Sequence, residues 1–310
     1  MLLSQTLMRF MVFGAGALGS LVAARLSSVH EVTLVGRREH VLAIRASGLR
    51  VTGRTECVAT TIEAVTEPTE TPPDVVLVTT KSYGTAGAVE ALARFSKQSI
   101  FVSLQNGLGN EEILAERAEN VLGAVINQGV TFLEPGAVYH AGEGETELGA
   151  FQGTEPGDAE RVAAAFRETG LEARAVDDIR SRIWLKVILN AAVNPLTALL
   201  AKRTGELIGD PALESAIRLI VHESVAIANA AGVALEENTV LEKIWSVARA
   251  TKDNKSSMLQ DLQRGRRTEI DAINGALLDR ARSLGVAAPQ NELLFHLVRA
   301  AGGNKTPRPT

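Results

Sequence analysis

The chain has 310 residues, about twice the size of a common single domain, so two domains with separate cores are expected. With 45% hydrophobic and 22% charged residues, its composition is that of a folded globular protein and excludes a disordered chain or a disulfide mini-protein. Its 32 basic and 36 acidic side chains leave a formal charge of −4, which provides no electrostatic footprint for nucleic acid or an anionic membrane.

The start, MLLSQTLMRFMVFGAG, has neither a basic n-region nor an A-x-A cleavage site and reads as a strand behind a ragged leader. Short apolar runs rich in β-branched residues follow at 10–13, 32–35, 75–79, 100–104 and 121–126, and helical spacing lies between them at 17–26, 85–95 and 109–116. This alternation predicts an α/β domain built on a parallel sheet covered on both faces. Residues 128–150 alternate apolar and polar positions between glycine turns and predict antiparallel strands appended to that sheet.

From residue 178 the pattern is almost entirely helical, and Asp177 and Asp178 supply N-cap oxygens for the first helix. The expected division is therefore 1–177 for the sheet domain and 178–310 for a helical domain, with a disordered tail at 302–310. The longest apolar run, 183–200, is interrupted by Lys186 and Asn190 and so falls short of the roughly 18 uninterrupted apolar residues of a membrane span. A soluble protein is expected. The lone Cys57 and five scattered histidines offer no internal disulfide and no zinc spacing, which suits a reducing cytoplasm without a structural metal.

Gly14-Ala15-Gly16-Ala17-Leu18-Gly19 directly follows a predicted strand and opens a predicted helix, the context that gives this spacing its weight. Gly14 permits the tight turn, Gly16 leaves room for a pyrophosphate, and Gly19 lets helix and strand pack closely. The helix N-terminus then offers its N–H groups to phosphates. A tight turn with incidental glycines is the competing reading. The second strand ends in Gly36-Arg37-Arg38 where an NAD enzyme places a carboxylate, and a guanidinium there suits the 2′-phosphate of NADP. Alternatively, both arginines are solvated loop charges.

Two further clusters carry polar chemistry. Lys186, Asn190 and Asn194 are spaced four apart and share one face of an otherwise apolar helix, where burial demands partners or a ligand. A solvent-facing seam that ends at the helix-breaking Pro195 explains the same pattern. Asn254, Ser257 and Asp261 follow three- and four-residue steps, with Glu269 in the first turn of the next helix. Helix capping accounts for these residues more simply than a site does. No G-x-S-x-G elbow and no Walker-type GK[ST] loop is present, which removes the usual handles of hydrolases and phosphotransferases.

Taken together, GAGALG, VTTKS at 78–82, SLQNGLGNEE at 103–112, WLKVILNAAVNPLTAL and SSMLQDLQRGRRTEIDAINGALL resemble ketopantoate reductase, the 2-dehydropantoate 2-reductase family, from about residue 9 to residue 298. The resemblance implies NADPH-dependent reduction of 2-dehydropantoate to (R)-pantoate, a step toward pantothenate and coenzyme A. It also implies a Rossmann domain followed by a helical domain of the 6-phosphogluconate dehydrogenase C-terminal type, with the active site between them. Lys186 falls on the catalytic lysine of the family and Glu269 on its supporting glutamate. Asn190, Asn194 and Ser257 fall on substrate positions, and Asn106 on a position near nicotinamide and substrate. Lys81 falls on the lysine after the fourth strand, associated with the cofactor and substrate side of the cleft, while Asn254 and Asp261 match with less defined roles.

The chain departs from the family at Gly84, where many members carry glutamine, and at Thr204, where many carry asparagine. The implied partner is a small-molecule 2-oxo acid, with neither nucleic acid nor membrane, and a homodimer is compatible with this reading. Two other functions stay open at this point: a reductase of a different 2-oxo acid, and a non-catalytic NADP-binding sensor.

Overall fold

The computed structural model describes residues 7–302; the ragged leader and all of the expected disordered tail except Gly302 lie outside them. Two compact units separate. One takes the chain up to Gln105 together with Asn110–Ile179, and the other takes Asn106–Gly109 together with everything from Arg180 onward.

The first unit runs β1 (Arg9–Phe13), α1 (Ala17–Leu26), β2 (Glu31–Val35), α2 (Arg38–Ser47), β3 (Leu49–Gly53), β4 (Cys57–Ala59), β5 (Glu63–Val65), β6 (Val75–Val78) and α3 (Thr85–Leu92). It continues through β7 (Ile100–Ser103), α4 (Asn110–Ala115), β8 (Asn120–Ile126), β9 (Gly129–Glu134), β10 (Ala137–Gly142), β11 (Thr146–Gln152), α5 (Asp158–Glu168) and β12 (Ala173–Ala175). Eight strands form the main sheet in the order β12-β11-β8-β7-β6-β1-β2-β5. All neighbours pair in parallel except β11 with β8.

Alternate residues of these strands enter opposite cores, as the two-residue period requires. Phe10, Val12, Val75 and Leu77 pack with Leu21, Val22 and Phe166 on one face, whereas Met11, Val76 and Val78 pack with Val89, Leu92 and Leu114 on the other. The strand order reverses at β1, which lies between β2 and β6, so the glycine loop leaves the sheet at the switch point where open α/β sheets take their ligands.

One expectation is corrected here. Residues 128–150 do not all join the main sheet: β9 and β10 form a hairpin that pairs with β3 and β4 in a second sheet of order β4-β3-β10-β9, and only β11 extends the first. The physical reason lies in α1. Its sequence ALGSLVAARL has no polar face, and it is buried over most of its surface, so one sheet cannot cover it. Contacts with β3, β4, β9 and β10 cover the rest.

The second unit is helical: α6 (Ile179–Leu200), α7 (Pro211–Ala230), α8 (Glu237–Ala250), α9 (Ser257–Gln263), α10 (Ala276–Leu284) and α11 (Pro289–Ala301). Asp210 caps α7 by accepting from the N–H groups of Ala212 and Leu213, with Pro211 at the first helical position. Contrary to expectation, α6 is long and apolar enough to cross a membrane by length and composition, despite Lys186 and Asn190. Much of it is nonetheless buried, including Val187, Ile188, Ala191 and Ala192. Pro195 does not break this helix, a second correction.

Two buried imidazoles tie the first unit together. His40 Nδ1 accepts from the Gly136 N–H at 2.8 Å, which leaves Nε2 to donate to the Ser20 hydroxyl on α1 at 2.9 Å. His140 contacts the Thr55 hydroxyl through Nδ1 at 2.9 Å and Gln128 Oε1 through Nε2 at 2.9 Å. Burial lowers the pKa of both rings below the ordinary 6.5. A lowered folded-state pKa means stability that is present above the unfolded value and is lost as pH falls through and below it. Urea denaturation is expected to show the unfolding free energy falling between pH 7.5 and 5.5, above the range where carboxylates titrate. A rise over that interval would show that the rings are protonated in the fold.

Candidate active site

The loop after β1 is shaped by approaches too close for side chains. Gly14 has φ +120°, and a Cβ there would lie 2.6 Å from the Thr80 nitrogen. A Cβ on Gly19 would stand 2.2 Å from the Gly14 carbonyl oxygen and 2.5 Å from Thr79 Oγ1. Thr79 fills that gap itself, donating to the Gly14 carbonyl at 2.8 Å. Gly14 and Ala15 donate to the Val35 carbonyl at 3.1 and 3.0 Å, fixing the loop to the end of β2. Gly16 differs: no atom lies within 4 Å of a Cβ built there, so its lack of a side chain serves open space rather than packing. The first-turn N–H groups of Ala17, Leu18 and Gly19 have no partner within α1, and Gly16 provides no side-chain cap.

Gly36 packs against the same loop, since a Cβ on it would meet the Ala15 methyl at 2.3 Å. This holds Arg37 beside the glycine turn. Arg37 is the extended residue that precedes α2, and both it and Arg38 are exposed, with no salt bridge to a carboxylate among the described residues. Lys81 is half-buried and opens the short 3-10 turn Ser82–Gly84, accepting from the Gly84 N–H at 2.7 Å through its carbonyl. Sequence reasoning missed Gln105, whose buried amide donates to the Thr80 carbonyl at 3.0 Å and to the Thr85 hydroxyl at 2.8 Å, pinning the loop that carries Lys81.

In the second unit, Lys186, Asn190 and Asn194 follow one another along α6. Lys186 and Asn190 are half-buried and Asn194 is buried. Neither the Asn190 nor the Asn194 side-chain amide has a hydrogen-bond partner among the described residues. The amide atoms of both keep access to solvent, so they are available to water or to the oxygens of a ligand. Asn106 belongs to this unit, and its Nδ2 donates to Glu269 Oε2 at 3.2 Å, with Glu269 only 5% exposed. The neighbouring Leu108 N–H donates to the Ala272 carbonyl at 3.0 Å. Glu269 does not sit in the first turn of an α-helix, as expected, but in a bend before the π-helical turn Asp271–Gly275 that leads into α10. Such turns concentrate at functional sites.

The Asn254, Ser257, Asp261 face is not continuous. Asn254 lies outside α9, where its carbonyl accepts from the Thr204 N–H at 3.0 Å and the Thr204 hydroxyl at 3.2 Å. Thr204 thus has a structural contact at its family-variant position. The cap of α9 is Ser256, which accepts from the Leu259 N–H at 3.1 Å and receives the Thr197 hydroxyl of α6 at 2.7 Å. Ser257 is the next residue, exposed at the docked end of α9, and Asp261 is buried one turn on. The sequence signal for Ser256 was present, because a serine just before an apolar run is the ordinary N-cap pattern.

Comparison with known proteins places these features in a family. Residues 10–153 match the model described as "Ketopantoate reductase PanE/ApbA", and residues 178–302 match "Ketopantoate reductase PanE/ApbA C terminal". The chain is 40% identical to the 2-dehydropantoate 2-reductase of Halobacterium salinarum, covering 95% of this chain and 99% of the relative, and 38% identical to that of Archaeoglobus fulgidus, covering 94% and 97%. Among solved structures it resembles a PanE/ApbA family ketopantoate reductase from Ralstonia eutropha (TM-score 0.87, 33% identity, 96% and 99% covered). It also resembles D-mandelate dehydrogenase solved with NADH and anilino(oxo)acetate (TM-score 0.90, 28% identity, 96% and 99% covered). With both of its parts matched and its relatives covered almost end to end, the chain belongs to the ketopantoate reductase family of oxidoreductases.

Proposed function

We propose that this protein reduces ketopantoate to (R)-pantoate with NADPH, a cytoplasmic step toward pantothenate and coenzyme A. The observation that carries the reading is the α6 face, where two amides with no side-chain hydrogen-bond partner among the described residues stand one turn apart in line with a lysine. A 2-oxo acid presents a carboxylate and a carbonyl oxygen, acceptors that amide N–H groups and an ammonium bind. The names of the relatives support ketopantoate as the acid.

The glycine loop fits a dinucleotide. The space over Gly16 admits a pyrophosphate, and the first-turn N–H groups of Ala17, Leu18 and Gly19 are free to hold it. Lys81 is assigned to the cofactor side. Among the described residues Arg37 pairs with no carboxylate, and it follows the end of β2, the position that in this kind of fold reads the adenosine ribose. A guanidinium there binds a 2′-phosphate bidentately. Replacing Arg37 with Ala is expected to weaken NADPH binding by about tenfold or more, equivalent to ~1.4 kcal/mol, while changing NADH binding little. Equal weakening of the two, measured by fluorescence titration, would show that the phosphate is held elsewhere.

When bound, the nicotinamide supplies a hydride to the carbonyl carbon. Negative charge then develops on the carbonyl oxygen, where the Lys186 ammonium stabilises it and donates the proton that completes the alcohol. Asn190, Asn194 and Ser257 bind the carboxylate and hydroxyl of the acid. Glu269, kept in place by Asn106, supplies the fixed negative partner for the lysine and orients the substrate. A second reading, reduction of a different 2-oxo acid, draws on the likeness to D-mandelate dehydrogenase.

Lys186→Ala is expected to lower kcat by roughly 10²-fold to 10⁴-fold, the range for a positioned acid, with NADPH affinity nearly unchanged. A defect confined to KM would mean that Lys186 only binds substrate and would remove the general-acid role.

A further inference from the structure

Pro195 lies inside α6, where a proline has no N–H to give the carbonyl four residues earlier. That carbonyl is Ala191, fully buried in the helix between Asn190 and Asn194. Its donor comes from outside. Asn274 Nδ2 donates to the Ala191 oxygen at 3.2 Å and to Asn291 Oδ1 at 3.1 Å, so both amide hydrogens are used. Asn274 is 0% exposed and stands in the π-helical turn Asp271–Gly275, five residues after Glu269.

The far end of this link is also fixed. Asn291 donates to Glu223 Oε2 at 2.9 Å, and the buried Glu223 carboxylate accepts from the N–H groups of Gln290 and Asn291 at 2.9 and 3.0 Å, capping α11. The turn that holds Asn274 also receives Leu108 through the Ala272 carbonyl, next to Asn106. A helix with an ordinary residue at 195 satisfies its own carbonyl and has no need of this attachment.

We infer that Asn274 is a positioning residue: through the carbonyl that Pro195 leaves without a donor, it holds the Lys186, Asn190 and Asn194 line of α6 in register with the turn that carries Glu269. The inference rests on the proposed roles of Lys186 and Glu269. The amide hydrogens of Asn274 are both spent on Ala191 and Asn291, so it acts by setting the separation between Lys186 and Glu269. A misplacement of about 1 Å is enough to cost catalysis on the order of 10²-fold.

The test uses the full-length protein as Asn274→Ala, Pro195→Ala and the double variant, read by thermal melts, NADPH titration and steady-state turnover of ketopantoate. In the Pro195→Ala background a backbone N–H again faces the Ala191 carbonyl, so the double variant is expected to recover the part of the melting temperature that Asn274→Ala loses through Ala191, while the loss through Asn291 persists. Its kcat is nonetheless expected to stay about tenfold or more below that of Pro195→Ala, with NADPH affinity unchanged. If kcat returns together with the melting temperature, Asn274 is only structural and the inference is overturned. If Asn274→Ala does not fold, the double variant still decides the matter. Turnover by the wild-type protein is the control that separates the two readings: its absence refutes the reductase reading. The melts test the Asn274–Ala191 link separately, and equal losses from Asn274→Ala in both backgrounds would overturn it.

Discussion

The first unit depends on one packing constraint, the contact between the start of α1 and the ends of β1 and β6. At Gly19 the helix passes so near the Gly14 carbonyl and Thr79 that no β-carbon fits. Because α1 is pressed into the sheet at that point, its N-terminus opens at the carboxyl ends of the parallel strands, at the reversal of strand order. The same approach leaves Gly16 facing open space and brings Gly36 against Ala15, which sets Arg37 beside the loop. An open helix N-terminus with an arginine beside it thus follows from the absence of a few methyl groups. The price is an apolar helix that needs a second cover, and the four-stranded sheet provides it.

In the second unit the corresponding role falls to α6. It carries apolar core residues of the helical unit and the polar line of Lys186, Asn190 and Asn194 on one rod, so core packing and the proposed substrate face share a single element. Asn106, although it follows β7 in sequence, packs with this unit and holds the carboxylate of Glu269. The docking of Ser256 against Thr197 brings the start of α9, with Ser257, to the later half of α6.

Much of this was legible in the sequence because it is written in local pattern. Strand and helix alternation gave the parallel sheet, the glycine spacing gave the loop, and the four-residue step gave the polar face of α6. What was missed depends on contacts distant in sequence. Strands β4 and β5, with three residues each, are too short to announce themselves, and the fate of the β9–β10 hairpin is decided by the need of α1 for cover. Pro195 read as a breaker because the donor that repairs its helix, Asn274, lies 83 positions beyond the Ala191 carbonyl it serves. Glu269 read as a first-turn residue because no local signal distinguishes a π-helical turn from the start of an α-helix.

Turnover of ketopantoate is the activity proposed for this chain, and it is open to measurement in solution. NADPH oxidation by the purified protein should be followed against a panel of 2-oxo acids that includes ketopantoate. Ketopantoate is expected to give the highest kcat/KM, with NADPH preferred over NADH. A clearly higher kcat/KM for another oxo acid would contradict the substrate assignment, and no oxidation with any of them would contradict the reductase reading as a whole.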